Sequence, residues 1–190
     1  MMNTSGTHVH TSLPPVIQIV GYKNSGKTTL VTELLRLGVA RGMRIAVIKH
    51  DAHEFQMDHA GTDTFAHTEA GAAAVVITSP ARTAIIREQP STLQQLVMEL
   101  AAHAAKPYDL ILVEGFKQEH YPKAVLIARE LDVELLDQLS GLQWIYTRIE
   151  PEQLAGISNF KGIPVIPAGK DGIMELFTAL NAYIMSYPSN

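Results

Sequence analysis

The chain has no cysteine, few aromatic residues and no long apolar run. The absence of cysteine excludes disulfides, thiolate metal sites and cysteine nucleophiles, and it is typical of proteins in a reducing compartment. No apolar stretch approaches the roughly 20 residues that a membrane-spanning helix needs. Residues 1–15 lack a basic segment followed by an apolar one. The sequence therefore predicts no secretory signal and a cytoplasmic protein.

Basic charge is also scarce, since 15 Lys and Arg stand against 19 Asp and Glu and give a net charge of −4. The basic residues are scattered, whereas neutralising a nucleic-acid backbone needs clusters of them, so a large nucleic-acid surface is not expected. The length of 190 residues and the hydrophobic content of 46% predict one globular domain over residues 15–190. The polar residues 1–14 are predicted to form a flexible lead-in.

One motif near the N-terminus predicts phosphate binding. It fits the Walker A pattern G-x-x-x-x-G-K-[ST] at every fixed position, and its residues are Gly21, Tyr22, Lys23, Asn24, Ser25, Gly26, Lys27 and Thr28, followed by Thr29. An apolar run at 16–20 predicts a buried strand before the loop, and helically spaced apolar residues predict a helix after it. In that setting backbone N–H groups cradle phosphates, Lys27 neutralises the outer phosphate oxygens and Thr28 offers its hydroxyl to Mg²⁺.

Strand-like and helix-like patterns alternate along the chain, which predicts an α/β fold of the P-loop class, with a mostly parallel sheet in a three-layer sandwich. Further strands are predicted over 44–50, 109–113, 123–129, 142–147 and 163–166, and helices over 62–70, 93–104, 132–139 and 172–183. Two strand-like runs, 73–78 and 83–87, are separated by only four residues. That spacing predicts an antiparallel hairpin as an excursion from the parallel sheet.

Two carboxylates are predicted to lie near the metal. Ligands of an open α/β sheet bind outside the carboxyl ends of its strands, and Mg²⁺ prefers hard oxygen ligands. Asp51 follows the second predicted strand, and Glu114 ends the apolar run at 109–113, as a Walker B acid does. Both are expected opposite Thr28. Asp109 lies at the other end of its strand, so we expect it to cap that strand or set its register.

Four histidines, His50, His53, His59 and His67, fall within eighteen residues and are interspersed with aspartates. Neutral imidazole suits Zn, Ni or Cu, but these spacings match no standard zinc pattern. Two interpretations stay open: a transition-metal site, or a polar loop near the phosphates that closes over the ligand.

The sequence offers little that predicts rapid turnover or a particular base. No Asn-Lys-x-Asp run specifies guanine, and no arginine finger or water-positioning side chain is obvious. The sequence therefore predicts slow hydrolysis at most.

Several motifs occur together and in a fixed order: Gly21 to Leu30, Ile48-Lys49-His50, Asp58-x-x-Gly61-x-Asp63-Thr64, Glu69-Ala70-Gly71-Ala72 and Asp109 to Lys117. The combination closely resembles the MobB family, the accessory proteins of molybdopterin-guanine dinucleotide biosynthesis. The resemblance covers the chain from about residue 16 onward and is densest up to residue 129.

The resemblance implies a GTP-binding P-loop protein with Mg²⁺ and a weak GTPase activity, usually a homodimer. Its implied partner is a MobA-type guanylyltransferase, which attaches GMP to molybdopterin. By motif, Gly21 to Thr29 would hold phosphates and Asp51 and Glu114 would lie near Mg²⁺. The cleft or its dimer partner would be lined by His50, Asp63, Thr64 and Lys117. The family tends to end its late strand with a small residue and Asp, whereas this chain has Tyr146-Thr147-Arg148 there.

Two other functions stay open at this point. A P-loop kinase acting on a small metabolite should carry an arginine-bearing lid, and Arg82, Arg87 and Arg129 are isolated. A metal-insertion GTPase chaperone is suggested by the histidines between 50 and 67. The predicted hairpin at 73–87 would give a dimer an edge for strand pairing.

Overall fold

The computed structural model describes residues 13–51, 55–150 and 162–187. Most of the predicted lead-in, up to residue 12, and His53 lie outside these ranges. The chain divides into two compact units. The larger unit comprises the chain up to His50 together with the chain from Leu93 onward, and the smaller one comprises Asp51–Thr92.

The described elements follow one another in an order that alternates strands and helices over most of the chain. They are β1 (Val16–Val20), α1 (Lys27–Val39), β2 (Ile45–Lys49), α2 (Asp63–Glu69), β3 (Ala74–Ser79), β4 (Arg82–Arg87), α3 (Leu93–His103), β5 (Leu110–Glu114), β6 (Lys123–Ile127), a 3-10 helix (Glu130–Glu134), α4 (Leu135–Gln138), β7 (Leu142–Thr147), β8 (Val165–Pro167) and α5 (Lys170–Ser186).

The larger unit is built on a six-stranded sheet in the order β2-β5-β1-β6-β7-β8. Every pair of neighbours is parallel. All five residues of β1, of β5 and of β6 are buried, as expected of central strands covered on both faces. Because parallel strands share a direction, the loops after β1, β2, β5 and β7 all leave the same edge of the sheet.

Helices cover both faces of this sheet. One face packs against α1 and α5 through buried residues that include Leu30, Leu34, Leu176 and Leu180. The other face packs against α4 through Leu135 and Leu136, and against α3 through Leu93 and Val97. The larger unit is thus a three-layer α/β sandwich, which confirms the predicted fold class.

The smaller unit contains α2 and the hairpin β3–β4. The predicted hairpin is confirmed, with Val76 opposite Ile85 in an antiparallel register. It forms a two-stranded sheet of its own, so the prediction of an excursion from the main sheet is refined here. Val76, Ile77 and Ile85 are all more than half exposed. The hairpin therefore presents apolar side chains to solvent.

Two boundaries near the C-terminus differ from the prediction. The last strand, β8, begins two residues later than predicted, and the closing helix begins at Lys170 and not at Gly172. Gly169 has a φ of 143°, which only glycine adopts readily, and its carbonyl accepts a hydrogen bond from the Ile173 N–H at 2.9 Å. This glycine therefore allows the helix to start early. Among the helices of the described ranges, none is both long and apolar enough to cross a membrane.

Asp109 has the register role that its position predicts. Its Oδ2 accepts a hydrogen bond from the Arg44 N–H at 2.7 Å, and its own N–H donates to the Arg44 carbonyl at 2.9 Å. These two hydrogen bonds join the residues that immediately precede β2 and β5, and so extend the pairing of the two strands at their amino ends. The carboxyl ends of β2 and β5 are consequently aligned, with Lys49 opposite Glu114.

Candidate functional site

The loop between β1 and α1 has the backbone of an anion-binding nest. Gly21, Asn24 and Gly26 have positive φ values of 156°, 61° and 102°. Glycine adopts such conformations without steric cost, and Asn tolerates the left-handed region better than most residues. Residues of left-handed and ordinary conformation in succession form a concavity of N–H groups. Gly26 is also the N-cap of α1, and no side chain of the described residues caps that helix end.

Lys27 is held at the mouth of this loop. Its Nζ donates a hydrogen bond to the Tyr22 carbonyl at 2.6 Å. Burial lowers the pKa of Lys27 from its ordinary value, the charge of Glu114 opposes this, and the charges of Lys117 and Lys49 add to the lowering. Two lysines and one carboxylate thus lie near Lys27, so positive charge exceeds negative charge at this edge, which favours an anionic ligand.

Thr28 and Glu114 meet beside the loop. The Thr28 hydroxyl donates to Glu114 Oε1 at 2.7 Å, and Lys49 Nζ lies 4.0 Å from the same oxygen. Glu114 is only 6% exposed. A hydroxyl and a buried carboxylate, adjacent to a phosphate loop, are the hard oxygen ligands that Mg²⁺ takes together with phosphate oxygens and waters. The donor set therefore fits a magnesium ion at this position.

The position of Glu114 is fixed by the turn that follows it. The buried Gln18 amide in β1 donates to the carbonyls of Gly115 and Phe116 at 3.0 and 2.7 Å. Gly115 and Phe116 have φ values of 102° and 54°, and a left-handed conformation is strained for phenylalanine. The Phe116 ring packs against His50, with centroids 4.5 Å apart. Contacts from the two neighbouring strands, with Gln18 within β1 and His50 just after β2, thus hold the turn that carries Glu114.

Tyr22 and Lys117 contact each other beside the loop. The Tyr22 hydroxyl donates to Glu134 Oε1 at 2.8 Å, and Lys117 Nζ lies 4.8 Å from the centre of the Tyr22 ring. The hydrogen bond to Glu134 raises the pKa of Tyr22, with burial as the next cause. Of the remaining loop residues, Lys23, Asn24 and Thr29 are exposed. Lys117 therefore lies beside the loop, and its role toward a ligand stays a prediction.

Among the residues of this loop that carry a side chain, Ser25 is the buried one. Its Oγ has no hydrogen-bond partner among the described residues, and it would lie 2.9 Å from a Cβ placed on Gly21. A buried hydroxyl without a partner is costly, so it is expected to gain one when a ligand binds. The orphaned hydroxyl supports the interpretation of the loop as a binding site.

Three predicted site residues belong to the smaller unit. Asp51 is its first residue, and Asp63 and Thr64 open α2. Asp58 shapes this helix start, because its Oδ1 accepts from the Thr62 hydroxyl at 2.7 Å and from the His59 N–H at 2.9 Å. Part of the Asp58 motif is therefore a helix-start motif. The proposed roles of Asp51, Asp63 and Thr64 toward the metal or the cleft stay predictions.

Three of the four histidines between 50 and 67 lie in the part of the chain that the structure describes. There, no group of three or more His, Asp or Glu side chains is arranged to hold a metal ion. His53 lies outside that part. His50 belongs to the larger unit, where it packs on Phe116.

Three residues near the loop were not predicted to act there: Gln18, Lys49 and Arg148. Gln18 had a signal, since it is the one polar residue of β1. For Arg148 the sequence signal was weaker: it stands at the end of β7, where the family tends to have a small residue followed by Asp. A Cβ placed on Gly26 would lie 2.9 Å from Arg148 Cζ and closer still to Nη2, so the guanidinium lies beside the loop. This placement was not predicted, because it is the strand order that brings the end of β7 near the loop.

The chain is similar to proteins of one known family. Residues 16–145 match the family model described as "MobB: Molybdopterin guanine dinucleotide synthesis protein B". A Haemophilus influenzae protein named molybdopterin-guanine dinucleotide biosynthesis adapter protein is 40% identical over 119 residues, which are 62% of this chain and 65% of that protein. A Bacillus subtilis protein, named a probable adapter protein of the same biosynthesis, is 30% identical over 156 residues, or 81% of this chain and 86% of that protein.

Solved structures extend the similarity to the fold. The crystal structure of Bacillus subtilis MobB superposes with a TM-score of 0.71 at 25% identity and covers 86% of this chain and 96% of that one. A MobB homolog from Bacillus stearothermophilus gives a TM-score of 0.67 at 27% identity, with coverage of 90% and 98%. The matches to the Haemophilus influenzae and Escherichia coli adapter proteins each span 65% of those proteins. With the family model matching more than half of its length, the chain belongs to the MobB family.

Proposed function

We propose that this protein binds GTP with Mg²⁺ and serves as an accessory protein of molybdopterin-guanine dinucleotide biosynthesis in the cytoplasm. In this role it would assist a MobA-type guanylyltransferase in attaching GMP to molybdopterin. Its own GTPase activity would be slow. The observation that carries the proposal is the 2.7 Å contact between Thr28 and the buried Glu114, beside a loop with the backbone of an anion nest.

The larger unit supplies each part of such a site. The nest from Gly21 to Gly26 and the start of α1 would bind phosphate oxygens through backbone N–H groups. Lys27 would leave the Tyr22 carbonyl and bind the outer phosphates, whose negative charge stabilises the ammonium group that burial destabilises. Thr28 and Glu114 would hold Mg²⁺, which neutralises phosphate charge when bound. These residues bind and orient the nucleotide.

The same geometry supports slow hydrolysis. A hydrolase needs a side chain that orients or deprotonates the attacking water. Glu114 is engaged by Thr28 at 2.7 Å and faces Lys49 at 4.0 Å, so its carboxylate belongs to the metal side of the site. Arg129 is engaged by Asp132 at 3.0 Å and is not available as a lid residue. The arrangement therefore favours nucleotide binding over rapid hydrolysis. It also favours an accessory role over that of a kinase with an arginine-bearing lid.

A homodimer is part of the proposal, and the hairpin is its expected interface. Val76 and Ile85 are cross-strand partners and are both more than half exposed, as is Ile77. Val76 and Ile85 lie side by side on one face of the two-stranded sheet, and Ile77 points to the other face. Exposed apolar side chains on such a sheet mark an interaction surface, because the sheet is only marginally stable by itself. Sedimentation should give a dimer mass for the wild type and a monomer mass for Ile85→Lys. A wild-type monomer at micromolar concentration would count against this part.

Competitive binding tests the nucleotide. We expect GTP to displace a fluorescent GTP analogue at lower concentration than ATP does, and more readily with Mg²⁺ than with EDTA. The adapter role is tested separately, by adding the protein to a MobA-type enzyme, GTP and molybdopterin and measuring guanine dinucleotide formed. Preference for ATP would refute the GTP assignment. Unchanged dinucleotide formation, with GTP binding intact, would refute only the accessory role.

A further inference from the structure

Arg148 lies against the phosphate loop from the side opposite to Glu114. In the sheet order β2-β5-β1-β6-β7-β8, Glu114 ends β5 on one side of β1, and Arg148 follows β7 on the other. A Cβ placed on Gly26 would lie 2.9 Å from Arg148 Cζ and 3.2 Å from Nη1. The guanidinium therefore packs on the backbone of the residue that immediately precedes Lys27.

The backbone around Arg148 is fixed by its two neighbours. Thr147 is 1% exposed and accepts a hydrogen bond from the Ile149 N–H at 3.0 Å through its Oγ1. Ile149 is itself buried and packs into the core beneath α4. The Arg148 N–H donates to the Ile127 carbonyl at 2.9 Å. With both neighbours anchored inward, the exposed Arg148 side chain is directed to the strand-end edge where the loop lies.

No carboxylate of the described residues accounts for this placement. Within the described residues, Arg148 forms no ion pair, whereas Arg129, which follows the neighbouring strand β6, is paired with Asp132 at 3.0 Å. The loop beside it already carries positive charge from Lys27 and from the start of α1. A guanidinium added to such a region is unfavourable without an anion, and its fork of N–H donors fits phosphate oxygens.

We propose that Arg148 binds the phosphate nearest the nucleoside, while Lys27, Thr28 and Glu114 serve the outer phosphates and Mg²⁺. This rests on the proposed nucleotide binding and deepens it. The metal side of the loop faces β5, so the phosphate chain runs from there across Gly26 toward β6 and β7. The end of the chain nearest the nucleoside then meets Arg148. Arg148 would thus be a phosphate-binding residue, supplied by the sequence Tyr146-Thr147-Arg148 at the end of β7.

The test compares guanosine, GMP, GDP and GTP by calorimetry for the wild type, Arg148→Gln and Lys27→Ala. For Arg148→Gln we expect a loss of about tenfold or more, equal for the three nucleotides and absent for guanosine, since one charged hydrogen-bond donor to a shared phosphate is removed. Lys27→Ala should instead lose more affinity for GDP and GTP than for GMP. Arg148→Lys should fall in between, because it keeps the charge and loses the fork.

Arg129→Gln is the matched control, since it removes the same charge from the same edge of the sheet and should leave all four affinities within about twofold at physiological salt. Unchanged or tighter binding by Arg148→Gln overturns the inference, as does a loss that grows with the number of phosphates. Equal losses in Arg148→Gln and Arg129→Gln would reduce the effect to general charge and overturn it too. A wild type that binds no nucleotide refutes the proposed function itself.

Discussion

Replacing Glu114 by Gln should change the Mg²⁺ dependence of nucleotide binding more than the binding itself. The carboxylate accepts from Thr28 at 2.7 Å, and Gln can still accept that hydrogen bond through its amide oxygen. What disappears is one buried negative charge on the side where the metal is expected. Lys49, the other neighbour at 4.0 Å, has a side chain that is 54% exposed and remains solvated in the variant. The fold should therefore stay intact.

Two effects of opposite sign follow from that lost charge. With Mg²⁺, losing an interaction to a charged group costs about 1.5–3 kcal/mol, or about 10- to 150-fold in Kd. With EDTA, the carboxylate repels the phosphates, by about 3 kcal/mol for unit charges about 6 Å apart at an effective dielectric constant of about 20. Screening reduces that repulsion, but its removal still tightens metal-free binding. The Kd measured with EDTA, divided by the Kd measured with Mg²⁺, should therefore be about 100-fold smaller in the variant than in the wild type.

The assay is titration of a fluorescent GTP analogue into the wild type and the variant, each with Mg²⁺ and with EDTA. Glu33→Gln is the matched control, since Glu33 lies on the surface of α1 and pairs with Arg36. This control should leave the ratio unchanged. Equal losses in Mg²⁺ and in EDTA would falsify the placement of Glu114 on the metal side, because a merely structural defect weakens both states alike.

Three further outcomes are expected. Lys27→Ala should abolish detectable GTP binding while the melting temperature stays within a few degrees, since it removes a partly buried charge and no core contact; GTP binding equal to that of the wild type would refute the phosphate loop. Leu112→Ala should lower the free energy of urea unfolding by about 2–5 kcal/mol, because Leu112 is fully buried in β5; a loss below about 1 kcal/mol would contradict its core position. Hydrogen bonds from two threonine hydroxyls lower the pKa of Asp58 below its ordinary 3.8, so this carboxylate stabilises the fold above that pH and stops doing so as pH falls through the lowered pKa. The melting-temperature difference between the wild type and Asp58→Asn should accordingly exist at neutral pH and vanish in strong acid, and a difference that grows in acid would contradict this sign.

The parallel core was predictable because its signals are local. The run Leu110–Glu114 is apolar except for its last residue, and such a run is typical of a central strand covered on both faces. The loop from Gly21 to Thr28 was predictable for the same reason, as its glycines and its Gly-Lys-Thr end lie within eight residues. The position of Glu114 beside Thr28 needed only one further rule, that parallel strands share a carboxyl edge.

The flanks of the site were harder to predict, because strand order decides them. Nothing in the sequence states that β7 follows β6 on the far side of β1, and this order is what brings Arg148 to Gly26. Gln18 was not predicted as an anchor either, since its partners are carbonyls about a hundred residues away along the chain. Local patterns carry no information about contacts that only the assembled sheet creates.

The strained turn after Glu114 links the fold to the proposed function. A left-handed phenylalanine costs about 1–3 kcal/mol and persists only where its surroundings determine it. At Phe116 those surroundings are the Gln18 amide, which donates to the carbonyls of Gly115 and Phe116, and the His50 ring, whose centroid lies 4.5 Å from that of Phe116. Such a turn fixes the carboxylate before any ligand arrives, so binding costs little rearrangement. A site prepared in this way favours steady retention of a nucleotide, which is what an accessory protein that presents it to another enzyme requires.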